Sequence, residues 1–513
     1  MASLDCEQLR KKILGCWIGK NIGGTLGGPF EGYPETHELT FYDPVPTEAM
    51  PNDDLELQAM YAAALDRMEH PEVNRMVLAD IWRKHMNFHC DEYAVAMKNL
   101  ASGVLPPWSG AWDNCFTEGM GAAIRSEIWA CLAPGDPDLA AKYAYEDACI
   151  DHDGAGIDAE IFFAVLESLA FIETDIRKLI SAALARLPDG STLADGIRTT
   201  CSLWDSTHDW RHVRDALFKR YAPEFRTSVV INIPFTVLAL LSGNGDFGKT
   251  ICDAANCGMD TDCTAATAGA ILGILDPDCI SEKWKTPVGN ALIVRKTAIT
   301  GLEFPATIEA FTDQILSLRE RIPAEVREIP VAEPDRKQIE IPVDISMTHN
   351  PAWYRLDWKK LDWKSSRCNS FYSSLAVPPE FRGNGSQIVL RFRFVLPEDT
   401  ECTIMFNSPT SNQIYLDPEE DILHDCCHML FGRQRLWDKT IRFGEYFPCS
   451  DRQIIFKPSF GGAPLNQYKR FLPLKKGEHT ILVALEPLAD EPEIIWGFGV
   501  AVDRTRFLTG IFQ

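Results

Sequence analysis

The sequence predicts a multi-domain chain of α and β parts. An all-helical region spans 1–326, a linker spans 327–346, and an all-β region, sandwich-like or jelly-roll-like, spans 347–513. Three observations carry this reading. Apolar residues recur at helical spacing through 5–325. Residues 327–346 are rich in proline and charge. Beyond them, short β-type runs alternate with Gly, Pro, Asn and Asp.

In the helical region the clearest stripe is Leu57, Met60, Tyr61, Ala64, Leu65 and Met68, which line one face of a helix. Similar stripes recur over 73–88, 138–150, 161–171, 176–187, 193–203 and 213–221. Pro106-Pro107, Pro134-Gly135 and Pro188-Asp189-Gly190 separate them. No self-similar period of about 20–50 residues is present, which excludes a solenoid. In the β region, runs over 387–396, 402–407, 413–416, 479–485 and 494–502 read as strands. The aromatic residues Trp353, Tyr354, Trp358, Trp363, Phe371 and Tyr372 gather at its start. They suit a core, a carbohydrate-stacking surface or an interdomain contact.

Fifty basic residues against seventy-three acidic ones give a formal net charge of -23. Such a surface repels phosphate backbones and anionic lipid, so no nucleic acid and no membrane is expected as a partner. The longest apolar stretches, 233–241 and 265–275, fall short of the ~20 residues that span a bilayer. The first residues are polar, with no long apolar run, so no secretory signal is expected. The sixteen cysteines are scattered and form no Cys-x-x-Cys pair. His424-Asp425-Cys426-Cys427-His428 is too crowded to wrap one ion easily. Reduced thiols in a cytoplasmic compartment are the expectation.

Three stretches of the helical region carry candidate chemistry. The first runs from Gly15 to Gly32, with glycines at 15, 19, 23, 24, 27 and 28 and then Glu31. Close helix packing explains the glycines. Phosphate binding is weakly suggested, because no Lys-Ser/Thr follows and no strand precedes. The second is Pro51-Asn52-Asp53-Asp54, at the start of a helix. One such residue suffices to cap a helix. Adjacent carboxylates beyond that need repel unless a cation or proton sits between them. The third is Gly258-Met259-Asp260-Thr261-Asp262-Cys263-Thr264, again with more carboxylates than a cap requires. Brought together, the second and third stretches offer oxygen ligands for a hard cation, Mg²⁺, Mn²⁺ or Ca²⁺, rather than zinc.

The order of these stretches resembles the ADP-ribosylglycohydrolase family, over about residues 8–320. That family has a Gly-rich first helix ending in Glu, then Thr-Asp-Asp-Thr, and much later Gly-Gly-Asp-Thr-Asp-Thr/Asn before a small-residue helix. Gly119-Met120-Gly121-Ala122-Ala123-Ile124-Arg125 is similar to the family's Gly-Asn-Gly-Gly-Ala-Met-Arg loop, and Asp151-His152 stands where the family has Ser/Thr-His. The resemblance implies one or two Mg²⁺ ions, with ligands at Asn52, Asp53, Asp54, Asp260, Asp262 and the Cys263 position. It implies catalytic roles for Glu31 and Asp262, and substrate contacts at Gly119, Gly121 and His152. The chain departs from the family at Asn52, Leu55, Met120 and Cys263, and a thiol is a poor partner for Mg²⁺. Asp158 and Glu160 add carboxylates; surface charge and capping explain them, or they line a differently shaped substrate pocket.

The expected reaction is hydrolysis at the anomeric carbon of a ribose, at the N- or O-glycosidic bond of an ADP-ribosyl group linked to a small molecule or to protein. A metal-dependent glycosidase or nucleosidase for another sugar is a second reading. A non-catalytic binding protein on the same fold is a third. Homo-oligomerisation is open.

Overall fold

The computed structural model describes residues 5–513, apart from 89–90, 113, 115, 222–225, 335–339, 350–357, 369–372, 409–410, 418–428, 435–468, 491, 503–505 and 509. The crowded 424–428 stretch therefore lies outside the described residues, as do Trp353, Tyr354, Phe371 and Tyr372. Among the described residues, sixteen α-helices lie between Cys6 and Arg321, and eleven strands between Ile341 and Phe507.

The first helix, Cys6–Gly27, starts at Asp5, whose side chain accepts from the Gln8 N–H and so satisfies one free donor of the first turn. The helix packs against Thr261–Leu275 in antiparallel fashion. Its glycines explain how. A Cβ at Gly15 would strike the carbonyl of Gly273, one at Gly19 that of Gly269, and one at Gly23 that of Ala265. At Gly27 it would strike the carbonyl of Thr261. The two backbones touch with no side chain between them, so the glycine stretch serves close packing rather than phosphate binding. Thr261 Oγ1 donates to the Gly27 carbonyl at 2.8 Å and locks the end of one helix to the start of the other.

Around this pair one large apolar cluster forms, with Trp17, Trp82 and Trp129 fully buried in it. The helix Val229–Gly243 is buried along its whole length, as its nearly uninterrupted apolar sequence requires.

The β region holds β1 Ile341–Thr348, β2 Lys364–Cys368, β3 Ser373–Ala376, β4 Gln387–Leu396, β5 Thr400–Asn407 and β6 Ser411–Leu416. They are followed by β7 Met429–Gln434, β8 Lys469–Leu474, β9 Gly477–Glu486, β10 Glu493–Val502 and β11 Arg506–Phe507. All pairings are antiparallel. One sheet runs β2-β1-β4-β9-β6-β7 and the other β11-β10-β5-β8, with β3 on β10. Alternate apolar residues of both sheets share one core, in which Phe392 stacks on Phe498 at 3.8 Å.

β1 begins inside the stretch expected to be linker, so 341–346 is strand. Its Asp344 faces Arg391 and Arg393 across the sheet, and this pairing lets a charged, proline-bearing segment join a ladder. Trp358 is buried against Val389, Tyr415, Leu482 and Ala484, with Trp363 packed beside it; these two aromatics serve a core.

Candidate functional site

The helix pair sets the site. Because the first helix ends against the start of Thr261–Leu275, the turn after it delivers Glu31 beside Asp260 and Asp262. The Gly32 N–H donates to the Met259 carbonyl at 2.8 Å and closes this junction. Gly32 and Gly258 have positive φ, and so does Met259, at φ 69. A non-glycine residue held there costs energy, which the surroundings must impose.

Capping explains only part of the acidity. At the helix Asp53–Asp66, Asn52 is the cap and accepts from the Asp54 N–H at 2.7 Å. Asp53 and Asp54 are surplus. At Thr261–Leu275, Asp260 occupies the cap position but its side chain makes no capping bond. Instead it turns toward Asp262 and Glu31.

Two ligand-like groups result. Oxygens of Glu31, Asp260 and Asp262 lie within 4.8 Å of one another, and so do atoms of Asp54, Asp262 and Cys263. Asp260 Oδ2 and Asp262 Oδ1 are buried with no hydrogen-bond partner among the described residues. Burial and then the Glu31 charge push both aspartates far above the usual carboxylate range. Burial, Asp54 and Glu31 raise Asp53 to about 7. Carboxylates placed this way call for a proton or a cation between them. The all-oxygen group of Glu31, Asp260 and Asp262 suits a hard divalent ion, so these residues fit such a group.

These groups face a cavity of about 310 Å³. Glu31, Asn52, Asp53, Asp260, Asp262 and Cys263 line it, together with Gly121 and Met120, whereas Asp54 is not on its wall. Sequence reasoning missed Phe88, Glu92, Tyr93, Arg226 and Arg295 on the same wall. Arg226 pairs with Glu31 at 2.7 Å, and Arg295 grips Glu56 through both carboxylate oxygens. Tyr93 Oη reaches Asp53 at 3.5 Å. Only the pair Asp91-Glu92 offered a signal: two acids at the start of the helix Asp91–Ala101, where Asp91 holds φ 43.

The remaining expected residues sit elsewhere. Gly119 does not line the cavity, and both loop N–H groups are already used. Gly119 N–H donates to Phe116 and Gly121 N–H to Glu92 Oε1 at 3.1 Å. A Cβ at either glycine would strike the Glu92 carboxylate, so these glycines make room for Glu92.

His152 is fully buried beneath the cavity, 2.9 Å from Asp151 and 3.6 Å from Glu92. Burial would lower its pKa, but Asp151 and Glu92 raise it to about 9, so the ring is cationic. Asp151 in turn, like Asp147, pairs with the fully buried Arg125.

Asp158 and Glu160 lie on the helix Ala155–Ala170 and line no part of the cavity. Burial and Asp153 raise Asp158 to about 6. Glu160 is turned inward toward Asp147, and burial and that charge drive its pKa far up. The phase of the helix, invisible in a short motif, decides this.

A profile of the family described as ADP-ribosylglycohydrolase matches residues 5–324. Among solved structures, an "ADP-ribosylglycohydrolase-related protein complex" is similar at 18% identity and TM-score 0.43, covering 61% of this chain and 99% of that one. A β-glucosidase from Kluyveromyces marxianus in complex with glucose is similar at 15% identity and TM-score 0.19, covering 32% of this chain and 16% of that one. No curated protein matches. No helix among the described residues is long and apolar enough to cross a membrane. The family match spans more than half of the sequence and ends just after the last helix, with all the strands beyond it. The chain belongs to the ADP-ribosylglycohydrolase family and is a hydrolase of glycosidic bonds.

Proposed function

We propose that the chain hydrolyses the N- or O-glycosidic bond of an ADP-ribosyl group at the ribose anomeric carbon, in the cavity walled by Glu31 and the two aspartate turns. The single observation that carries this is the pair of buried, unpartnered oxygens on Asp260 and Asp262 beside Glu31. Glu31, Asp53, Asp260 and Asp262 would hold a divalent cation, Mg²⁺ by the hardness of the ligands. When bound, such an ion orients ribose hydroxyls and lowers the pKa of a water.

The chain's own residues supply the rest. Glu31 is the general base, steadied by its ion pair with Arg226. Asp262 accepts a hydrogen bond from the sugar. Arg226 and Arg295 on the wall offset the local acidity, so an anionic substrate is admitted by an acidic protein. His152 does not touch substrate. It holds Glu92, which in turn fixes the Gly119–Gly121 loop.

We place the hydrolase in residues 1–326 and assign no chemistry to 347–513. The described cysteines are free thiols, in keeping with a cytoplasmic setting.

The test is Mg²⁺-dependent release of ADP-ribose from ADP-ribosylated protein and from O-acetyl-ADP-ribose. Asp260→Ala is expected to lose it. Full activity of that variant on every substrate turned over would sink the proposal. Met120, an apolar residue on the cavity wall, favours a second reading on a different sugar. A panel of nucleosides and glycosides run beside the ADP-ribosyl substrates separates the two.

A further inference from the structure

We infer that this chain holds one divalent cation rather than a pair, and that Lys20 supplies the positive charge where a second ion would sit. The inference rests on the metal reading above and concerns the two ligand-like groups separately.

Lys20 lies inside the first helix and is 1% exposed. Its Nζ is 3.3 Å from Asp54 Oδ1 and 2.7 Å from Glu127 Oε1. The other Asp54 oxygen accepts from Cys263 Sγ at 3.5 Å. Both Asp54 oxygens are thus engaged by protein donors. Asn52 closes the same side. Its Oδ1 accepts from the Asp54 N–H, and its Nδ2 lies 3.4 Å from Asp262 Oδ2. Across the shared Asp262, the situation reverses. Asp260 Oδ2 and Asp262 Oδ1 have no partner among the described residues.

The group of Glu31, Asp260 and Asp262 is therefore open to an ion, and the group of Asp54, Asp262 and Cys263 is closed by Lys20 and the thiol. A dication added beside a buried ammonium would meet repulsion that the low local dielectric screens poorly. A soft sulfur donor would not offset this for a hard ion.

The experiment counts ions. The full chain is stripped with a chelator and titrated with Mn²⁺, and free Mn²⁺ is read by electron paramagnetic resonance. The wild type is expected to bind one equivalent. Asp54→Asn should keep that equivalent with Kd changed less than ~3-fold, whereas Asp260→Asn should weaken it more than ~10-fold. Lys20→Met, which uncovers Asp54 and Glu127, should take up a second equivalent. Two equivalents in the wild type overturn the inference and leave the metal reading intact, and this count decides even where a variant does not fold. Equal weakening by Asp54→Asn and Asp260→Asn, or one equivalent in folded Lys20→Met, also overturns it. No Mn²⁺ binding by the wild type overturns the metal reading itself.

Discussion

Two groups of buried carboxylates in the helical region have the same composition and opposite circumstances. Asp147 and Asp151 face Arg125, which meets each of them through nitrogens at 2.9–3.1 Å. Asp260 and Asp262 face Glu31 and each other, with two oxygens left unanswered. Burial alone would raise the pKa of Asp151, Asp260 and Asp262 alike. In the first group Arg125 and His152 reverse that and hold Asp151 below the usual range. In the second no group among the described residues does so fully, although Arg226 opposes the rise at Asp260. The difference teaches that the number of acids does not mark a functional site; unanswered carboxylate oxygens that face a cavity do.

The sharpest way to break this comparison is to remove the answer from the first group. Arg125→Met leaves two buried carboxylates and should cost about 3–5 kcal/mol of stability, measured by urea unfolding. Little loss would mean that the first group is no better balanced than the second. The reciprocal change should act in the other direction. In chelator-treated protein, Asp260→Asn relieves like-charge repulsion and should leave stability unchanged or raise it by about 0.5–2 kcal/mol. A clear destabilisation would show that Asp260 already has a partner.

Acidity gives the finest test, because Asp53 beside the second group and His152 beside the first titrate in successive windows. Asp53, beside the second group, rises from its ordinary 3.8 to about 7 in the fold. Its protonated form is favoured there, so its contribution is full below 3.8 and is lost as pH rises through about 7. His152, beside the first group, rises from 6.5 to about 9. Its contribution is full below 6.5 and is lost as pH rises through about 9. Melting temperature of metal-free protein should thus fall in two stages. Saturating Mg²⁺ should abolish the first and spare the second. A metal effect on the second stage alone would reverse the assignment.

Much of this was legible in the sequence, and the reasons are specific. The surplus of acids over capping needs at Asn52–Asp54 and at Asp260–Asp262 is a local property, and the cap geometry bears it out. The glycine spacing of the first helix spoke for close packing, and four carbonyls of the partner helix now occupy the space of the missing side chains. Strand β4 runs over the expected residues 387–396.

What stayed hidden depends on partners far away in the chain. Lys20 meets Glu127 across 107 residues, and Arg295 meets Glu56 across 239. No window of sequence reports such a meeting. Asp158 and Glu160 read as either surface charge or pocket residues because a motif carries no helical phase; Glu160 turns inward to Asp147. β1 hid because its charges and proline resemble a linker until Arg391 is placed opposite Asp344.

The bare contact between the first helix and Thr261–Leu275 has a consequence for how the site tolerates change. Its span is gauged by main chain on main chain, with no rotamer in between to yield. Repacking elsewhere in the core therefore has no lever by which to widen the gap between Glu31 and Asp262. The same stiffness makes register unforgiving. One residue inserted into either helix swings everything after it by about 100° and advances it about 1.5 Å. Drift in the rest of the chain is absorbed by side chains, but along this seam the coordinates of the acids are inherited as a ruler is, whole or not at all.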